Sequence, residues 1–394
     1  MRSNKQIYPY GKQALDLSDL LAVFKTLLSP WLTQGPAVKN FEDALCAYTG
    51  AQYAVAVANG TAALHLAVAA LDIAPGAEGI TSPNTFLASP NCLVYNKVKP
   101  VFADIDAQTY NISLKEIEKH CSEKTKLLIP VHFAGQPVDM ENIAKLAKAK
   151  DLFVIEDAAH AIGATYADGS RVGNCRYSDM TIFSFHPVKT ITTGEGGAIM
   201  TNDKALYEKL LALRAHGMTK AAERYQQPAN IEKGAWYYEM QTLGFNYRLT
   251  DIQAALGSSQ LKKLDRFVAR RRHIVELYNQ ELKGLPLITL PFERPEVRSA
   301  FHLYVLQIDF AALGKNRTQV MEELKAKGVG TQVHYIPVHT QPYYQNSYGY
   351  RWGDQPKAED YYQKALSLPL YPTLTDRDVL SIGQSVREVL TKTI

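Results

Sequence analysis

The chain has 394 residues, 46% of them hydrophobic and 21% charged, an ordinary globular composition with enough chain for about two domains. Forty-three Lys and Arg against 39 Asp and Glu leave a formal charge of +4, too small to announce a nucleic-acid or membrane partner. The four cysteines, Cys46, Cys92, Cys121 and Cys175, have no C-x-x-C spacing, so neither a thiolate metal site nor a dense disulfide framework is indicated.

The opening segment, Met1 to Gln6, lacks the apolar core of a signal peptide, and no apolar run approaches the ~18 residues of a membrane span. A soluble, cytoplasmic protein is expected. From about residue 50 to 205, short apolar runs alternate with amphipathic stretches. Ala54 to Ala58 reads as a strand, Asn59-Gly60-Thr61 punctuates it, and Leu64, Ala67, Val68 and Leu71 then recur with the spacing of one helix face. The strand signal repeats at Val98 to Phe102, Leu127 to Val131, Leu152 to Ile155 and Thr181 to Phe185, while Pro137 opens a helical stretch carrying Met140, Ile143 and Ala147. The alternation predicts an α/β fold around a mostly parallel sheet.

Thr250-Asp251-Ile252-Gln253 has the form of a capping box and starts a helix predicted to run to about Leu282. Within it, Arg270-Arg271-Arg272 reads as a solvated helix face rather than a phosphate contact. Further on, a strand at Val305 to Ile308, a helix at Thr318 to Lys327 and the segment Val333-His334-Tyr335 predict a smaller α+β unit. The expected division is a large α/β domain over residues 1–260, with its N-terminal segment packed on the smaller one, and a small C-terminal domain over 261–394.

Chemistry concentrates at strand ends. Glu156-Asp157 follows Leu152 to Ile155, placing a carboxylate at the carboxyl end of a buried strand, where open α/β sheets bind ligands. Such an acid is costly without a partner. A cation such as a protonated pyridine nitrogen would compensate it; capping of the Ala158 to Ala161 stretch is the structural alternative. Lys189 lies just beyond the strand Thr181 to Phe185. Taken alone it is a surface charge, but Ser184, the upstream Asp157 and the glycines of Gly194-Glu195-Gly196-Gly197 make it a candidate nucleophile. That glycine stretch fits neither G-x-G-x-x-G nor the P-loop pattern, which argues against a dinucleotide or ATP fold. Free amides at Asn59-Gly60-Thr61, ahead of a helix, suit a phosphate or a plain cap, and Phe86 suits a core or a stacking role on a flat ring.

The set Asn59 to Leu64, Ser82-Pro83-Asn84-Thr85-Phe86, Glu156 to His160, Ser184 to Lys189, Gly194 to Gly197 and Gly244 to Leu249 with Gln253 to Gly257 resembles the DegT/DnrJ/EryC1/StrS sugar aminotransferases, fold-type I enzymes dependent on pyridoxal 5'-phosphate (PLP). The resemblance covers nearly the whole chain in order. It implies that Lys189 holds PLP as a Schiff base and then moves a proton, and that Asp157 pairs with the pyridine nitrogen. It further implies that His160 lies by the ring hydroxyl, that Phe86 stacks on the ring, and that Gly60, Thr61, Ala62 and Ser184 hold the phosphate. Asn246 would reach the phosphate of a neighbouring subunit, giving a homodimer with shared sites, and Arg248, His334 and Tyr335 are candidate substrate contacts. No metal is implied. With His216-Gly217-Met218 and Val333 to Pro337 added, the similarity narrows to members that serve pseudaminic acid biosynthesis and flagellin glycosylation. These would move an amino group from L-glutamate to C4 of a UDP-linked 4-keto-6-deoxy-N-acetylhexosamine. The alternatives are another nucleotide-linked keto-sugar (C3 or C4, UDP or dTDP) and a non-catalytic binding or regulatory protein with this fold. A sugar dehydratase of the same fold would carry His in place of Lys189.

Overall fold

The computed structural model describes residues 7–228 and 232–391, so Met1 to Gln6 lie outside it. Seven strands, β1 (Tyr53–Val57), β2 (Glu78–Thr81), β3 (Lys99–Phe102), β4 (Thr125–Ile129), β5 (Phe153–Asp157), β6 (Met180–Ser184) and β7 (Gly197–Thr201), form one sheet in the order β1-β7-β6-β5-β4-β2-β3. β7 alone is reversed: it pairs antiparallel with both β1 and β6, while the other pairings are parallel. This is the expected α/β fold around a mostly parallel sheet.

Both faces of the sheet are covered, and the two-residue period of a strand sorts side chains between two cores. Ala54, Ala56, Val154 and Phe183 enter one core; Val55, Val57, Ile155 and Ile182 enter the other, beneath helix Gly60–Ala70. By the same period Glu156 and Asp157 face opposite sides. Glu156 is wholly buried and receives hydrogen bonds from Tyr166 and Thr181 hydroxyls and pairs with His132 Nε2 at 2.8 Å. Burial raises its carboxyl, but His132, Ser178 and Tyr166 outweigh that and hold it below the ordinary range. Asp157 is left facing the side of helix Gly60–Ala70.

A third core surrounds a three-stranded antiparallel sheet of Ile288–Thr289, Tyr304–Ile308 and Ala365–Leu368. Helix Leu264–Leu282 spans the two regions: Leu264, Phe267 and Val268 join the first core, and Ile274, Val275, Tyr278 and Leu282 join the third. The N-terminal segment also reaches this third core, through Tyr8 and its backbone bonds with Gly328 and Gly330.

Three local expectations need correction. The capping box at Thr250 forms as expected, but its helix stops at Leu261 and a second begins at Leu264; at the break, Gln260 and Lys263 are drawn to Asp19 of the helix Leu17–Leu27. Pro137 does not open a helix: Val138 N donates to His132 Nδ1, and the helix starts at Met140 behind an Asp139 cap. Arg271 is not solvated. It is 1% exposed, and its Nη1 donates to the carbonyls of Phe301, His302 and Leu370, with burial lowering the guanidinium to about 10. Its neighbours are half-buried: Arg270 pairs with Asp376 and donates to the Leu374 carbonyl, and Arg272 pairs with Glu293 and donates to the Ser299 carbonyl.

Candidate active site

Because β1, β5 and β6 run in one direction, their carboxyl ends share one edge of the sheet, and the residues that follow them meet there. They border a cavity of about 650 Å³. Gly60, Thr61, Phe86, Asp157, His160, Ser184, Lys189, His334 and Tyr335 all line it, so nine side chains or backbones singled out in the sequence come together. Three do not. Ala62 is buried behind the turn, its amide taken by Asn59 Oδ1 at 2.8 Å; Asn246 is exposed and Arg248 half-buried, both outside this chain's cavity lining.

One end of the cavity is built for an anion. The Asn59 cap uses the Ala62 amide, and among the described residues no protein acceptor takes the Gly60 or Thr61 amide or the Thr61 and Ser184 hydroxyls. A Cβ at Gly60 would lie 2.9 Å from Ser184 Cβ, so only glycine lets the helix N-terminus approach β6 this closely. The turn at Asn59 likewise needs Gly197, whose Cβ would lie 2.5 Å from the Asn59 carbonyl oxygen. Four free donors around a dipole's positive end match a phosphate. Gly60→Ala is expected to weaken PLP binding by about 10–100-fold, the equivalent of ~1–3 kcal/mol of overpacking. Fluorescence titration of the apoprotein with PLP measures it.

The floor is Asp157. Its Oδ2 accepts from Ser89 Oγ at 2.6 Å, which itself pairs with Thr85 Oγ1, and its Oδ1 accepts from the Ala159 amide at 3.1 Å. Thus Asp157 both caps the turn and presents a buried negative charge to the cavity. Lys189 stands partly buried above; burial draws its ammonium down to about 8, against the opposing pull of Asp157. The amine is therefore uncharged in a useful fraction of molecules at neutral pH. It follows that covalent uptake of PLP by the apoprotein should speed up as pH rises to about 8 and level off above it, whereas an unperturbed lysine would keep gaining towards pH ~10.4. Stopped-flow absorbance across that range distinguishes the two.

His160 is buried, with Nε2 at 3.1 Å from the Tyr335 hydroxyl and Nδ1 without a protein partner. Burial, then the charge of Lys189, pushes its imidazole well below the ordinary value, so it bonds without adding charge. His334 is held by Ser367 Oγ at 2.8 Å and burial lowers it to about 3. Phe86 is 57% exposed at the rim, its ring 6.2 Å from that of Tyr335. An anion cradle, a buried carboxylate lining the cavity and an amine that readily loses its charge together fit PLP. Ser89, Tyr10 and His302 also belong here and were not singled out in the sequence; they lie on elements carrying no local signal for this site.

Among the described residues, no helix is long and apolar enough to cross a membrane. A sequence model of the DegT/DnrJ/EryC1/StrS aminotransferase family matches residues 14–387. The spore coat polysaccharide biosynthesis protein SpsC of Bacillus subtilis (strain 168) is 42% identical over 392 residues, 99% of each chain. Helicobacter pylori PseC, an aminotransferase of pseudaminic acid biosynthesis, superposes with a TM-score of 0.90 at 33% identity, covering 98% of this chain and 100% of that one. The PLP form of Spr1654 from Streptococcus pneumoniae superposes with a TM-score of 0.88 at 30% identity, covering 98% and 99%.

Proposed function

Since the chain belongs to the DegT/DnrJ/EryC1/StrS aminotransferase family and is a PLP-dependent sugar aminotransferase, we propose that it transfers an amino group from L-glutamate to C4 of a UDP-linked 4-keto-6-deoxy-N-acetylhexosamine, UDP-2-acetamido-2,6-dideoxy-β-L-arabino-hexos-4-ulose. The observation that carries this substrate is the full-length likeness to PseC. When bound, PLP supplies a carbonyl that accepts amines and a ring that draws electrons from the donor's Cα. The chain's residues do the rest. Gly60, Thr61 and Ser184 anchor the phosphate; Asp157 keeps the pyridine nitrogen positively charged; His160 orients the ring hydroxyl; Phe86 covers one face. Lys189 would hold the cofactor covalently and would move the proton at the amino donor's Cα. His334 and Tyr335 meet the substrate. The reaction is two half-reactions through one site, first glutamate and then sugar.

A second reading is favoured by the higher identity to SpsC: a different nucleotide-linked keto-sugar, aminated for a surface polysaccharide. Incubating the protein with PLP, L-glutamate and a panel of UDP- and dTDP-linked 3-keto and 4-keto sugars, with NMR of any amino sugar, separates the readings. Amination of a dTDP sugar but not of the UDP-linked hexosulose would overturn the first.

The site is completed by a second copy of the chain in this reading. Support comes from Asn246, exposed and outside its own cavity, and from helix Leu17–Leu27, where Leu17, Leu20, Phe24 and Leu27 are each more than half exposed. Mixing Lys189→Ala and Asn246→Asp subunits, each inactive as a homodimer, should restore one working site per heterodimer. If each site used its own Asn246, the mixture would stay inactive.

A further inference from the structure

Glu156, the neighbour of Asp157 in β5, points away from the cavity yet draws four donors from other parts of the chain. His132 Nε2 lies 2.8 Å from its Oε2, Tyr166 adds a hydroxyl to that oxygen, and the Ser178 and Thr181 hydroxyls serve Oε1. Val138 N donates to His132 Nδ1 at 3.0 Å, so the ring proton sits on Nε2 and is given to the carboxylate. Both side chains are 0% exposed.

What this clamp holds follows from the sheet. β5 pairs regularly with β6 as far as Asp157, opposite Ile182, but its regular pairing with β4 ends at Val154, opposite Leu128. Beyond that point, among the described residues, one isolated bridge joins the β4 side to β5: Asp157 N donates to Pro130 O at 2.9 Å, and His132 N to Asp157 O at 3.1 Å. Pro130 has no N–H to add. The carboxyl end of β5 is therefore thinly held on this side, and the His132 side chain adds a second tie from the residue that makes the first. Ser89 and the Ala159 amide settle the rotamer of Asp157; neither fixes the strand from which it hangs.

We propose that the His132–Glu156 pair is a positioning device for amino transfer, fixing the end of β5 from behind and so setting where the Asp157 carboxylate stands in the cavity. Successive strand side chains point to opposite faces, so a roll of β5 that lets Glu156 drift swings Asp157 the other way. The inference rests on the reading of Asp157 as partner of the pyridine nitrogen. A charge pair in a buried site depends steeply on distance, and a displacement on the order of 1 Å can cost about 10²-fold in rate.

Two substitutions divide the imidazole. His132→Asn keeps an acceptor for Val138 and loses the bond to Glu156; His132→Gln reaches the Nε2 position, keeps a donor for Glu156 and loses the Val138 bond. Each removes one hydrogen bond, so a merely structural role predicts similar damage from both. Fluorescence titration gives the PLP affinity of each apoprotein, and cofactor absorbance gives the holoenzyme's glutamate half-reaction. His132→Asn is expected to weaken PLP binding and slow the saturated half-reaction about tenfold each, with apparent glutamate affinity within about twofold of wild type. His132→Gln should stay within about threefold on every measure. Beside Asp157→Asn, His132→Asn should cost less than about twofold more in PLP affinity, because the group it positions is gone. Equal losses from the two His132 variants, or an undiminished further loss beside Asp157→Asn, overturn the inference. If Asp157→Asn alone leaves affinity and rate at wild-type values, the reading of Asp157 falls and this inference with it; a loss there with none from His132→Asn sinks this inference alone. Ser178→Ala, a milder cut in the same clamp, decides where a His132 variant does not fold. Its expected loss is about threefold in PLP affinity, vanishing beside Asp157→Asn; no loss, or one that persists there, again overturns the assignment.

Discussion

Lys189→Ala is expected to abolish transamination, with a loss on the order of 10⁴-fold or more, because the substitution removes two functions at once. In the proposed reading the side chain is the attachment point for PLP and also the group that moves the Cα proton, and among the described residues no second lysine lines the cavity to replace it. Sodium borohydride should fix PLP to the wild-type protein and not to the variant, as read by intact-mass spectrometry. The fold should survive. Among the described residues the side chain makes no hydrogen bond or ion pair, and the anion cradle at Gly60, Thr61 and Ser184 is untouched. The variant should therefore still bind PLP reversibly, at reduced affinity. Ordinary turnover by it would mean that the chemistry lies elsewhere.

Much of this site was legible because its parts are local. Asn59-Gly60-Thr61, Glu156-Asp157 and Ser184 to Lys189 each join a strand end to a turn, and an apolar run followed by polar punctuation marks such a place. The capping box at Thr250 is local in the same sense and was found to the residue. What escaped depends on residues distant in sequence. Ser89 orients Asp157 from 68 positions away, and Tyr10 reaches Lys189's neighbourhood only because Gly328 and Gly330 receive the N-terminal segment. β2 and β7 escaped for a different reason: Glu78-Gly79 and Gly197 break the apolar pattern, yet the strands form because neighbours pair with them on both sides. Arg271 was misread because three adjacent arginines look solvated. A helix turns each by about 100°, and the middle one points at three carbonyls of the third core.

Asp157→Asn should separate charge from shape. The asparagine can keep its oxygen towards the Ala159 amide and turn its NH₂ to Ser89 Oγ, which is able to accept, so both contacts at 3.1 and 2.6 Å have successors. Thermal stability is expected to stay within a few degrees of wild type, since a buried charge is lost along with its partners' charge-assisted bonds. Lys189 remains, and borohydride should still fix PLP to the chain. What disappears is the buried anion proposed to keep the pyridine nitrogen positive. Turnover should then fall by about 10²–10⁴-fold in both half-reactions alike, because both depend on the same electron withdrawal. The signs on Lys189 also oppose each other usefully. Burial lowers its ammonium and Asp157 raises it, so the neutral residue at 157 should move the pH midpoint of PLP uptake below about 8. A midpoint that stayed in place, with turnover undiminished, would show that Asp157 is only a turn cap and that another group balances the ring.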